Sequence, residues 1–155
     1  LKEVLVELTR DARCSIGHHA ELAADGKETG GILLGRGPED GIVTVEFAGD
    51  PGPKARRRSD FFLRDLDHAR ALAAEQWKRS KAVWVGEWHT HLTGDPRPSP
   101  ADLATYSRHL QATALGFDVF VSVIVIPAPD GSWTRGRLFP WVINAPDGRP
   151  AAGNA

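Results

Sequence analysis

The sequence predicts an α/β or α+β domain in which helices pack on a mixed, mostly antiparallel sheet. Three observations carry this. Apolar runs and alternating stretches suited to strands are interleaved along the whole chain with stretches of helical period. At 155 residues, one domain is the default. With 41% hydrophobic and 25% charged residues, the composition is that of a protein able to build a core.

In chain order, residues 1–8 alternate, with Val4, Val6 and Leu8 set against Glu3, Leu5 and Glu7, which is a strand pattern. Thr9 or Asp11 caps a helix to about Ala24, with Ile16 and Ala20 on its apolar side, and Asp25-Gly26 ends it. The glycine-bounded apolar run within residues 28–36 reads as a buried strand. The sequence Gly37-Pro38-Glu39-Asp40-Gly41 reads as the turn of a hairpin whose second strand is residues 42–48. Residues 54–58 form a basic cluster, either a solvated loop or a contact for an acidic partner or chain end. A short strand is expected over 59–63 and a helix over 65–78, with Leu66, Ala69 and Leu72 or Ala73 on one stripe. Residues 81–88, rich in valine and tryptophan, read as a buried strand. Ser99-Pro100 starts a helix to about Thr113, with serine at the N-cap and proline at the first helical position. Residues 117–126 are the most strongly β-like; 127–131 form a turn and 133–143 a last strand. The expected domain is therefore 1–144, with 145–155, rich in Ala, Pro, Gly and Asn, as a flexible tail.

A net charge of −1 leaves no electrostatic footprint for nucleic acid or an anionic membrane. A single cysteine, Cys14, excludes an internal disulfide and a multi-cysteine metal site. No run approaches the roughly 18 apolar residues of a membrane helix, and no signal pattern opens the chain. A cytoplasmic location is the expectation.

The chemistry gathers in Gly86-Glu87-Trp88-His89-Thr90-His91 and the stretch from Asp95 to Asp102. On a strand, residues i and i+2 share a face, so His89 and His91 project together. Neutral imidazole is a good zinc ligand, and catalytic zinc sites use three protein ligands with the fourth position left for water. Asp102 is the third ligand if the loop turns back. Each residue also has a plainer reading. Ser99 and Asp102 by themselves form a capping box. Glu87 shares the histidine face and can compete for the role of base, orient a ligand histidine, or be structural. Asp95 reads as a turn former beside Gly94 and Pro96. Thr29-Gly30-Gly31 either admits an extended substrate or permits close strand packing. His18, His19, His68 and His109 read as surface or packing residues, and the tryptophans as packing.

The spacing His89-Thr90-His91, seven residues, Ser99, two residues, Asp102 resembles the JAMM signature of the JAB/MPN metallopeptidase family. Far upstream, Glu28-Thr29-Gly30-Gly31-Ile32-Leu33-Leu34-Gly35 resembles that family's glutamate-bearing strand. The resemblance implies a cytidine-deaminase-like fold and one Zn²⁺ per chain on His89, His91 and Asp102. It implies Glu28 as general base and Ser99 as donor to the oxyanion of the tetrahedral intermediate. It also implies a substrate class: bonds after the C-terminal glycine of a ubiquitin-like modifier joined to a target protein, by deconjugation or precursor trimming. The Gly86 to His91 stretch and Phe62-x-Arg64-Asp65 with Trp77 look most like bacterial JAB deconjugases encoded beside E1-like and E2-like enzymes in CBASS-type anti-phage operons. Leu92 departs from the proline that many members carry there. Two other readings stand beside this: a JAMM hydrolase processing a sulfur-carrier protein or a small cysteinyl or amide adduct, and a RadC-like non-peptidase module.

Overall fold

The structure is a computed structural model that describes residues 3–144 and 150–152. The chain opens with β1 (Leu5–Leu8) and α1 (Arg10–Leu22). Thr9 is the cap, its hydroxyl accepting from the Ala12 N–H at 3.1 Å. Next come β2 (Gly30–Glu39) and β3 (Ile42–Ala48). The expected five-residue turn contracts to Asp40 and Gly41, both at positive φ, because Gly37 to Glu39 continue the strand. Then follow β4 (Arg56–Arg58), β5 (Phe61–Leu63), α2 (Leu66–Ser80) and β6 (Val83–Thr90). The second half holds α3 (Pro100–Gln111), a 3₁₀ turn (Thr113–Leu115), β7 (Val119–Ile126), β8 (Arg137–Asn144) and β9 (Pro150–Ala152). β8 starts four residues later than expected because Trp133 to Gly136 turn on themselves, the Gly136 N–H reaching the Trp133 carbonyl at 3.0 Å.

Seven strands form one sheet in the order β1-β3-β2-β6-β7-β8-β9, and β4 and β5 pair separately. β1/β3 and β6/β7 are parallel; the other pairs are antiparallel. This is the mixed, mostly antiparallel sheet the sequence predicts. β9 lies within the stretch expected to be a flexible tail, so three of its residues belong to the sheet, hydrogen-bonded to β8. Residues 145–149 and 153–155 of that stretch, and 1–2 of the expected first strand, lie outside the described residues. Among the described residues no helix is long and apolar enough to cross a membrane.

One face of the sheet packs on α1, through Ala12, Ile16 and Ala20 against Val6, Leu33, Val45, Trp88 and Val123. The other face carries α2 over Ile32, Leu34 and Trp84, and α3 over Phe120 and Ile143. The central strands are covered on both sides. That is why Ile32, Leu33 and Leu34 are consecutive apolar residues and all at most 1% exposed. Against β2, Leu33 pairs with Gly86 and Leu34 with Trp84, so Val85 is a one-residue bulge in β6. The extra residue inverts the alternation. Val85 and Trp88 pack in the α1 layer while Trp84 packs under α2, which leaves Glu87 and His89 on the α2/α3 side.

Only the start of the basic cluster, Lys54 and Ala55, is loop. Arg56–Arg58 is a strand, and Arg57 is drawn inward onto the Asp25 carboxylate and the carbonyls of Ala23 and Glu28.

Candidate metal centre

His89 sits near the end of β6, opposite Gly30 on β2 and Ile124 on β7. The chain stays on the sheet one step further, since the His91 N–H donates to the Val125 carbonyl at 2.9 Å. Both imidazoles are therefore held by backbone, and both are buried, at 2% and 7% exposure. The intervening Thr90 points the other way and locks the strand tip to Thr29. Its hydroxyl accepts from the Thr29 N–H at 2.9 Å, and its own N–H donates to the Thr29 carbonyl at 2.8 Å.

Asp102 arrives from the first turn of α3. The Ser99 hydroxyl accepts from the Asp102 N–H at 3.1 Å, and Asp102 Oδ2 accepts from the Ser99 N–H at 2.7 Å. The capping box is thus present, and it is the device that aims the carboxylate. The same Oδ2 lies 3.3 Å from His89 Nε2 and 3.3 Å from His91 Nε2, and the two Nε2 atoms are 3.0 Å apart. Ligand atoms about 2.0–2.1 Å from a tetrahedral zinc stand about 3.3–3.4 Å from one another. The three edges observed are close to that figure, so His89, His91 and Asp102 form a group that could hold a metal ion. Two imidazoles and a carboxylate are also a donor set suited to zinc with an open fourth position. Ser99 capping and Asp102 ligation are one arrangement rather than rival readings.

The loop from His91 to Ser99 is fixed at both ends. His91 Nδ1–H donates to the Asp95 carbonyl at 2.7 Å, which leaves Nε2 as the lone-pair nitrogen facing the cluster. The Trp141 indole N–H holds the Pro96 carbonyl at 2.7 Å. Asp95 keeps its turn role, its carboxylate bound to Arg97, and its backbone adds a function that residue type could not signal. Burial opposes a charge on His91, but hydrogen bonding to Asp102 and Asp95 outweighs it and raises its pKa. Burial likewise opposes ionisation of Asp102, yet hydrogen bonds from the two histidines hold its carboxyl well below the usual carboxylate range.

Glu28 precedes β2. Its N–H donates to the Arg58 carbonyl at 2.7 Å, and its carbonyl accepts from Arg57 Nε at 3.0 Å. The peptide units on both sides are thereby pinned. Its carboxyl, 6% exposed, lines a cleft of about 400 Å³ together with His91, Ser99 and Asp60. Burial is the main cause that pushes its pKa up to about 7, with the histidines pulling it down and Asp102 and Asp60 adding to the rise. Ser99 reaches the same cleft; its oxygen already accepts within the cap, so its proton remains available to a ligand in the cleft.

Glu87 is elsewhere. It is 5% exposed and ion-paired with Arg64, the Nε–Oε2 distance being 3.0 Å with a second, shorter contact from Nη2. Arg64 also lies over Trp84. Arg64 had a place in the sequence motif but no partner assigned to it, because a contact across 23 residues has no local signature. Thr29, just before β2, and Gly30 and Gly31 at its start are buried, and β2 is interior to the sheet. A Cβ on Gly30 would stand 2.2 Å from the Trp88 carbonyl oxygen, and one on Gly31 2.0 Å from that of Gly49. Their room is taken by neighbouring backbone, so close packing accounts for both glycines. Cys14 is exposed on α1, away from the cluster.

Comparison with known proteins follows the same lines. The family of prokaryotic homologs of the JAB domain matches residues 10–136. A CD-NTase/cGAS isopeptidase of Enterobacter hormaechei is 39% identical over 83 residues, which are 52% of this chain and 45% of that protein. A second protein of that name, from Pseudomonas aeruginosa, is 27% identical over 106 residues, 67% of this chain and 66% of the relative. The chain thus spans less than half of the first relative's length and just under two thirds of the second's. A protein of Desulfitobacterium hafniense known from its solution structure is 20% identical, with a TM-score of 0.67 over 97% of this chain and 90% of its own; that likeness is one of fold.

Proposed function

The chain belongs to the family of prokaryotic homologs of the JAB domain, and from that premise we propose that it is a zinc-dependent isopeptidase. Its substrate would be a ubiquitin-like modifier joined through its C-terminal glycine to a target protein. The observation that carries the reading is the convergence of His89, His91 and Asp102 at tetrahedral spacing beside a buried Glu28 whose carboxyl has no ion-pair partner among the described residues. The name shared by the two curated relatives supports the isopeptide bond and suggests a CD-NTase as the conjugated target; the resemblance to deconjugases of CBASS-type operons adds anti-phage defence as the setting. E1-like and E2-like enzymes would then be the proteins that make the conjugate.

A bound zinc ion would supply a Lewis acid that polarises the scissile carbonyl and acidifies water. The rest is done by the chain. In the metal-free protein burial raises the Glu28 pKa to about 7; a bound cation would lower it and favour the ionised form that accepts a proton. Glu28 takes a proton from the attacking water and returns it to the leaving amine. Ser99 donates its hydroxyl proton to the oxygen that gains negative charge. Arg57 and the Arg58 carbonyl keep the Glu28 backbone from moving with its substrate.

The test is a fusion of a ubiquitin-like protein to a reporter through a Gly-Gly junction, assayed beside metal analysis. About one zinc per chain is expected, with cleavage at the junction that stops in chelator and returns on adding zinc. Cleavage that persists in chelator, or a protein that cannot be loaded with zinc, rules the reading out.

A further inference from the structure

The β4–β5 hairpin has two unlike faces. Its pairs are Arg56 with Leu63, Arg57 with Phe62 and Arg58 with Phe61, and directly opposed residues share a face. Arg57 and Phe62 point inward: Arg57 onto Asp25, and Phe62 against Gly30, where a Cβ would meet its ring at 2.8 Å. Arg56 and Arg58 therefore point outward, over Phe61 and Leu63. Both arginines are exposed, and among the described residues neither has an ion-pair partner. With Phe61 and the stem of Arg57 they line an open cavity of about 460 Å³. The hairpin acid, Asp60, lines the neighbouring cleft beside Glu28 instead.

From this geometry we infer that the outward face of β4 binds an extended acidic segment of the substrate. The two arginines, two residues apart on a strand, have Cα atoms about 7 Å apart, the spacing of alternate residues in any extended peptide. A segment with carboxylates at positions i and i+2 can meet both at once, each by a two-pronged contact. Placement ties the patch to the reaction. The Arg58 carbonyl accepts from the Glu28 N–H at 2.7 Å, so a chain lying along β4 is led to the cleft. Asp60 repels acids from the cleft itself, which sets the acidic residues beside the scissile bond and not at it. Anchorage of Arg57 keeps β4 rigid, so less side-chain and backbone freedom is lost on binding.

This specificity rests on the isopeptidase reading, but the patch can be tested without turnover. The probe is a fluorescein-labelled Ser-Glu-Ser-Glu-Ser-Glu peptide, compared with its glutamine counterpart. Binding is followed by anisotropy and by amide shifts, with the protein in chelator so that no metal can capture the carboxylates. Expected are shifts at Arg56, Arg58 and Phe61, and an affinity at least threefold above the glutamine peptide. That preference should disappear in Arg56→Ser/Arg58→Ser and in 500 mM salt. Arg56→Lys/Arg58→Lys should keep part of it. Equal binding of the two peptides, an unaltered preference in the serine double variant, or shifts confined to Arg97 and its loop would overturn the inference. In the fusion assay, glutamates near the junction should lower KM about three- to tenfold in the wild type only, with kcat unchanged. If no fusion is cut, the isopeptidase reading fails while the peptide titration still decides the patch.

Discussion

Two buried glutamates stand near the same pair of histidines, and the molecule treats them oppositely. Glu87 lies behind the cluster, ion-paired to Arg64 beneath α2. Glu28 lies in the cleft, with its backbone pinned on both sides and, among the described residues, no cation paired with its carboxyl. What each carboxylate is paired with sets them apart. A carboxylate committed to a guanidinium is a strut. One that is dry and unpaired is poised to exchange a proton.

The strongest way to break this contrast is to neutralise each acid in turn. Glu28→Gln should keep the zinc and lower kcat by at least 10²-fold, as expected for removal of a general base, read by metal analysis and by cleavage of the Gly-Gly fusion. Loss of turnover in Glu87→Gln with Glu28→Gln active would reverse the assignment. The next effect is on stability. Glu87→Gln leaves Arg64 buried without its partner, at a cost of about 3 kcal/mol, or a fall in Tm of roughly 6–12 °C for a domain of this size. Arg64→Met added to it should restore most of the loss, since replacing the whole pair removes the orphaned charge; no recovery would mean that Glu87 has another partner.

In the metal-free protein His91 holds a proton more readily than a free imidazole, because Asp102 and Asp95 hydrogen-bond to it. Metal must displace that proton, so zinc affinity should fall about tenfold per pH unit below the raised pKa, with proton release on binding seen by calorimetry in buffers of different ionisation heat. A pH-independent affinity would contradict the hydrogen bonds to Asp102 and Asp95. The smallest effect concerns Glu28 in the metal-free state. Its folded pKa lies above the ordinary value, so the stability linked to its proton is fully present below about pH 4.5. That stability is lost as pH rises through about 7. In chelator, Glu28→Gln should therefore be more stable than wild type at pH 8, by on the order of 1 kcal/mol after allowance for solvent screening, and no more stable at pH 4. Equal melting curves at pH 8 would show that the carboxyl is not strained by its burial.

The fold was largely legible in the sequence where one period dominated. The β7 alternation and the continuous apolar run of Ile32 to Leu34 led to strands where strands occur. Ser99-Pro100 marked the start of α3 because a cap is a local device. Legibility failed where contacts between distant residues overrode local signals. Basic composition suggested loop at Arg56 to Arg58, yet pairing with Phe61 to Leu63 makes a strand. A stretch rich in Ala, Pro, Gly and Asn suggested a tail that includes Pro150 to Ala152, yet the edge of β8 takes those three residues into the sheet.

The site divides in the same way. Sequence alone singled out His89, His91 and Asp102 and placed the two imidazoles on one face, since strand periodicity and a helix cap depend only on near neighbours. It named Glu28 only by resemblance and left the role of Glu87 open. The surroundings of each acid are a matter of tertiary structure. The bulge at Val85, the Arg64 guanidinium 23 residues away and the Arg57–Glu28 backbone tie are long-range contacts. A carboxylate's behaviour is set by the charges and solvent around it in space, which residue spacing along the chain does not encode.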